Sequence, residues 1–106
     1  MKIVIVGDGK VGLALTARLS RAGHDVVVID RDPRVLEESL QTYDVMVVQG
    51  NGACKSVLEE AGIDTADLLI AATSSDEINL LCCMVANKMA NVHTIARVRS
   101  PEYAGQ

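Results

Sequence analysis

At 106 residues the chain has room for one domain built on one core. Its apolar residues make up 49% of the total but come in short runs, far below the ~18 residues needed to span a bilayer, and the run at residues 3–6 is too short for the core of a signal peptide, so a cytoplasmic chain is expected. A formal net charge of −4 with no Trp and no Phe argues against a nucleic-acid surface.

In chain order, residues 3–6 form a first β-branched apolar run, followed by Gly7, Gly9 and Gly12. Val11, Ala14, Leu15, Arg18, Leu19 and Ala22 then repeat at roughly helical spacing and stop at Gly23, a natural helix end. A second strand is expected at 26–29 and a short second helix at 33–40, opened by Asp32 as N-cap and Pro33 at the first helical position. A third strand falls at 45–48, and a third helix carries Val57, Leu58 and Ala61 on one side and ends at Gly62. A fourth strand spans 68–72. Ser74 and Glu77, spaced as a capping box, open a fourth helix that runs to Met89. The fifth strand is expected at 94–98. Ser100 and Pro101 then read as the start of another element, within residues 100–106, which leaves open a fragment of a longer chain.

The five strand runs do not alternate apolar with polar residues, which is the pattern of parallel strands covered on both faces. Strand and helix alternate with short connections. The expected fold is therefore α/β, a single Rossmann-like domain over residues 1–106: a doubly wound parallel sheet of about five strands with helices on both faces. Three cysteines, Cys54, Cys82 and Cys83, are an odd number with two adjacent, which fits a reduced compartment better than a disulfide, and Cys82 and Cys83 fit core packing better than a metal site.

Gly7, Gly9 and Gly12 spell G-x-G-x-x-G between the first strand and the first helix. The first glycine allows a tight turn, the second lets the backbone approach a pyrophosphate, and the third brings helix and strand close. The helix N-terminus offers free N–H groups and the positive end of its dipole to phosphate. Asp30, at the end of the second strand, is placed to accept hydrogen bonds from an adenine ribose and to repel a 2′-phosphate, favouring NAD over NADP. Arg31 beside it either neutralises that charge or is a solvated surface residue.

In an open α/β sheet the ligand lies beyond the carboxyl ends of the strands. Asn51 after the third strand and Thr73 and Ser74 after the fourth are further candidates, although Asn51 and Ser74 also suit helix capping. Arg97 stands inside the otherwise apolar fifth strand and needs an anionic partner: a nucleotide phosphate, or Asp76 or Glu77. Lys10 is either a phosphate or cross-subunit contact, or a solvated lysine.

GDGKVG, VVVIDRD, VVQGNGACKSVLEEAGIDTADLLIAATSSDEIN and ARVRSPEY together resemble the NAD-binding regulatory domains of Trk and Ktr potassium transport systems, the RCK or KTN domains. The resemblance covers essentially the whole chain, and the last two segments are its specific part. It implies a domain that binds NAD(H), with ATP or ADP as further ligands of the same site, assembles as a homodimer or larger ring, and docks peripherally at the inner face of the membrane on a potassium-translocating subunit. Carried over by position, the ligand contacts are Gly7, Asp8, Gly9, Lys10, Val11, Asp30, Asn51, Thr73, Ser74 and Arg97. Two departures stand out: the family often has an acidic residue or histidine at the position of Asn51, and it often continues into a crossing helix and a second domain.

The fourth helix carries Ile78, Leu80, Leu81, Cys82, Cys83, Met84, Val85 and Met89 around nearly its whole circumference. Its outer face is expected to be buried in a homodimer. Two functional classes remain. One is a regulatory nucleotide-binding domain with no catalytic residue. The alternative is the cofactor-binding half of an NAD-dependent oxidoreductase lacking its catalytic domain, which needs an acid–base group beside the nicotinamide. His24 and His93 fall at the amino ends of strands, away from the expected site, and neither Tyr43 nor Tyr103 has a nearby lysine in a catalytic arrangement.

Overall fold

The computed structural model describes residues 1–103. In chain order the elements are β1 (Lys2–Val6), α1 (Lys10–Arg21), β2 (Asp25–Asp30), α2 (Pro33–Thr42), β3 (Met46–Gln49), α3 (Lys55–Glu60), a 3-10 turn (Ile63–Thr65), β4 (Leu68–Ala71), α4 (Asp76–Met89) and β5 (His93–Ala96). The strands form one parallel sheet in the order β3-β2-β1-β4-β5. After β3 the chain crosses to the far side of β1. The carboxyl ends of β1 and β4 therefore flank the switch point, where loops diverge to opposite faces and leave a crevice.

β1 is central because both of its faces are apolar. Ile3 and Ile5 pack with Val26, Val28 and Leu36 beneath α1 and α2. Val4 and Val6 pack with Val27, Ile29, Leu58, Cys82 and Ala86 beneath α3 and α4. Continuous burial holds for β1 and nearly all of β2, whereas β5 alternates exposed and half-buried positions. Met46 on β3 and Ile95 on β5 are exposed, so the expectation of strands covered on both faces fails at the sheet edges.

Local signals placed the helix ends with two exceptions, the end of α2 and the start of α4. Gly23, with φ of +89°, follows α1, and the Asp32 carboxylate accepts the Arg34 N–H at the start of α2. α2 continues to Thr42, beyond the expected end at residue 40. α4 is capped by Ser75, whose hydroxyl accepts the Ile78 N–H, and not by Ser74. The spacing of Ser74 and Glu77 matched a capping box, but the helix begins one residue later, which leaves Ser74 outside it. The 3-10 turn was not anticipated. Expectations for residues 104–106 lie outside the described residues.

Cys82 and Cys83 are buried while Cys54 is exposed. Burial pushes the Cys82 thiol up to about 12, and its Sγ–H donates to the Gly52 carbonyl, so it serves as a core residue. Among the described residues no group of three or more His, Cys, Asp or Glu is placed to hold a metal ion, and no helix is long and apolar enough to cross a membrane. His93 opens β5 and His24 precedes β2, both at the amino edge of the sheet.

Candidate functional site

A cleft of about 520 Å³ lies over the carboxyl ends of the central strands, within the ~300–1,000 Å³ usual for small-molecule sites. Val6, Ile29, Ala72 and Ile78 contribute apolar wall. Of the sequence-predicted residues, Gly7, Gly9, Lys10, Asp30, Asn51, Thr73, Ser74 and Arg97 line the cleft, and Asp8, Val11 and Gly12 do not.

The glycine loop divides its work between space and packing. A Cβ on Gly12 would lie 1.7 Å from the Gly7 carbonyl oxygen, so Gly12 is where the start of α1 presses against the end of β1. Gly7 has φ of +98°, and a Cβ there would approach the Thr73 nitrogen to 2.9 Å. Gly9 is different: a Cβ on it would meet nothing within 4 Å. Open space above Gly9 coincides with the N-terminus of α1, which has no side-chain cap and no acidic residue in its first turn. That is the geometry of an anion cradle.

Asp8 turns away from the cleft. Its side chain is 2% exposed and accepts a hydrogen bond from the Ser39 hydroxyl of α2, leaving Oδ1 without a partner. Burial, with Asp30 and Glu38 nearby, pushes this carboxyl above the usual carboxylate range, against the opposing pull of the Ser39 bond.

Asp30 faces the cleft from the end of β2. Its two oxygens accept the backbone N–H of Asp8 at 2.7 Å and of Asp32 at 2.8 Å. The carboxylate thus fixes the glycine loop relative to β2, while its remaining lone pairs stay available for hydroxyl donors. Asn51 also works locally, its Oδ1 accepting the Ala53 N–H at 2.9 Å.

The loop after β4 is organised by Asn79, which the sequence analysis did not single out. Asn79 is fully buried in α4. Its Oδ1 accepts from the Thr73 N–H at 2.9 Å and from the Thr73 hydroxyl at 2.7 Å, and its Nδ2 donates to the carbonyls of Thr73 at 3.1 Å and Arg97 at 2.9 Å. One side chain therefore locks the β4 loop to the segment after β5. A polar residue on the inward face of an otherwise apolar helix was the available signal.

Arg97 is not inside β5, contrary to the expectation, but is the first residue past its end. Its N–H bonds the Ala71 carbonyl and extends the ladder by one rung. The guanidinium lines the cleft and has no carboxylate within ion-pair distance; among the described residues the Arg34–Asp32 pair stands alone. Of the two partners considered for Arg97, the carboxylate pairing is not made. Asp76 instead accepts the backbone N–H groups of Arg99 and Ser100, at 3.0 and 2.8 Å, and those bonds hold its carboxyl below the usual range.

Arg99 also lines the cleft and donates from Nη2 to the Ser74 carbonyl. Its two-residue spacing from Arg97, which places both on one side of an extended segment, was the missed signal. Lys10, Arg31, Arg97 and Arg99 thus surround a single acid, Asp30, in a chain of net charge −4. The lining favours a ligand with several negative charges.

Residues 3–106 match the family model described as the TrkA-N domain. The chain belongs to the TrkA-N domain family. Among curated relatives it is similar to the Trk system potassium uptake protein TrkA of Vibrio alginolyticus, 40% identical over 107 residues, a match that covers 100% of this chain and 23% of that protein. This TrkA-N domain therefore spans about a quarter of that relative's length. Among solved structures it is similar to the NAD(P)-binding domain of an exopolyphosphatase-related protein from Archaeoglobus fulgidus, with a TM-score of 0.85 and 22% identity, covering 96% of this chain and 76% of that one. It is also similar to the Kef CTD of Shewanella denitrificans in its AMP-bound form, with a TM-score of 0.72 and 25% identity over 89% of this chain and 58% of that one. The first of these likenesses speaks to the Rossmann-like fold alone.

Proposed function

We propose that this TrkA-N domain is the nucleotide-binding regulatory part of a potassium uptake system. It binds NAD(H), with ATP or ADP as further ligands of the same site. The observation that carries the reading is the open space above Gly9 at the uncapped start of α1, in a cleft that Lys10, Arg97, Arg99 and Asp30 also line. The phosphates occupy that space and the adenosine ribose donates to Asp30. The AMP-bound Kef relative supports an adenine nucleotide, and the Trk name of the Vibrio relative supports a membrane potassium-translocating subunit as partner, with the domain docked peripherally at the inner membrane face. Regulation requires only that occupancy favour one of two states of the assembly.

The oxidoreductase reading is less favoured. No histidine or tyrosine lines the cleft among the described residues, and the two side chains there that could exchange a proton, Asp30 and Lys10, are taken in this reading by the ribose and the phosphates.

A thermal-shift and calorimetric panel of NAD⁺, NADH, NADPH, ATP and ADP tests the proposal. Binding of NAD(H) or an adenine nucleotide without redox turnover is the expected result, and no binding by any of them defeats it. Asp30→Ala is expected to weaken NAD binding at least tenfold. The same substitution removes the acceptor of two backbone N–H groups and lowers stability by about 1–3 kcal/mol. Affinity is therefore measured well below the variant's own melting temperature.

The outer face of α4 supports the homodimer. Leu81 and Met84 are 46% and 60% exposed, on the helix side opposite buried Cys82, Cys83 and Ala86. Met84→Glu is expected to shift sedimentation toward monomer without loss of stability, since the side chain is exposed in one copy. Wild-type protein that sediments as a monomer at every accessible concentration would refute the contact.

A further inference from the structure

Asp8 carries the one side-chain charge of the glycine loop that lies away from the cleft. Its backbone belongs to the loop, yet its side chain is carried behind it into the space against α2. A carboxylate in water has about four lone-pair sites filled. Here one oxygen has the Ser39 hydroxyl and the other has nothing. The charges that bear on it are Asp30 from the end of β2 and Glu38 from α2, both negative. Lys10, two residues on, lines the cleft, and among the described residues no cation lies within ion-pair distance of Asp8.

We propose that Asp8 sets the affinity of the site without touching the ligand: a buried carboxyl directly behind the phosphate loop that admits the anionic nucleotide when protonated and opposes it when ionised. This rests on the nucleotide reading of the cleft. Two features make the coupling direct. Asp8 donates its own N–H to the carboxylate of Asp30, so loop, ribose acceptor and buried acid form one unit. The cradle above Gly9 begins one residue away; Gly9 is exposed and Asp8 is buried, so the Asp8 charge acts on the ligand phosphates across the loop and is partly screened by solvent on their side.

The direction of the effect follows from linkage. Burial has already raised the proton affinity of Asp8, and a bound polyanion raises it further. Nucleotide binding therefore takes up a proton in the window between the two values, and affinity weakens as pH rises through that window. Because Ser39 donates to the ionised form, removing its hydroxyl moves the window to higher pH.

The test is calorimetric titration with NAD⁺, whose pyrophosphate does not titrate between pH 5 and 8, so pH acts through the protein. Wild-type affinity is expected to strengthen by roughly threefold to tenfold as pH falls through the Asp8 window, the scale of one partly screened charge. Asp8→Asn, of nearly the same shape, is expected to hold the tight value at both ends, and Ser39→Ala to keep the pH response with its midpoint displaced upward. A wild-type profile that is flat, or an Asp8→Asn profile that follows the wild type, overturns the inference while leaving nucleotide binding intact. Failure of the wild type to bind at either pH defeats the nucleotide reading, and this inference with it. If Asp8→Asn does not fold, the wild-type slope and the Ser39→Ala midpoint decide: an unmoved midpoint counts against Asp8 as the titrating group.

Discussion

Gly12→Ala is expected to lower the stability of the domain by about 3 kcal/mol or more, or to prevent folding. The new Cβ would stand 1.7 Å from the Gly7 carbonyl oxygen, and both sides of that contact are backbone. A side chain in the way can rotate, but here either α1 must move off β1 or the Gly7 peptide must leave the end of the strand. The Gly7 N–H is bonded to the Ile29 carbonyl at 2.7 Å, so moving it also disturbs the junction of β1 and β2. Overpacking usually costs about 1–3 kcal/mol when side chains can yield, and more when they cannot. For a domain of this size each kcal/mol lowers the melting temperature by roughly 4–8 °C, so a fall of about 12–24 °C or more is the expected calorimetric result. Gly9→Ala is the control. With nothing within 4 Å of its Cβ it should fold with a stability change of about 1 kcal/mol or less, and yet bind nucleotide more weakly because the methyl group enters the anion cradle. Equal stability of Gly12→Ala and wild type would show that the α1–β1 contact is softer than this geometry allows.

Asn79→Ala carries the second large effect, an expected loss of about 3–5 kcal/mol by urea denaturation. The amide group makes four hydrogen bonds from a fully buried position. Truncation leaves the N–H and carbonyl of Thr73 and the carbonyl of Arg97 to find other partners, while the Thr73 hydroxyl keeps those of Ser75. Each buried polar group left unpaired costs roughly 1–3 kcal/mol, and water entering the space offsets part of the sum. Asn79→Asp distinguishes a lost cavity filler from a lost network. It fills the same volume and keeps the two accepted bonds but cannot donate to Thr73 and Arg97, so it too should be strongly destabilised. An Asn79→Asp variant as stable as wild type would mean that the donated bonds contribute little.

Much of the site was legible from local pattern. The glycine spacing between a β-branched run and a helical period located the cradle, and Asp30 was found because the end of β2 must lie beside that loop in a parallel sheet. What escaped were residues whose roles depend on elements far apart in the chain. Asn79 reads locally as one polar position on an apolar helix, and its importance appears only when Thr73 and Arg97 are brought against it. Asp8 fell within the motif and was grouped with the ligand contacts. A motif in sequence does not specify which way a side chain leaves its loop, and here Ser39, thirty-one residues on, supplies the hydrogen bond that holds the carboxylate.

By itself the sequence determined the order and type of the elements, because β-branched runs, helical periodicity and capping residues are properties of a few neighbouring positions. It also placed a glycine-rich helix start at the first strand-to-helix turn. Only the tertiary structure decided that Arg97 lies past the end of β5 with Arg99 beside it at the cleft, that Ser75 rather than Ser74 caps α4, and that Asp8 faces the interior. Those outcomes depend on where strands end relative to one another and on which buried groups find partners. Register and burial are settled by the whole sheet, and no short window of the chain contains them.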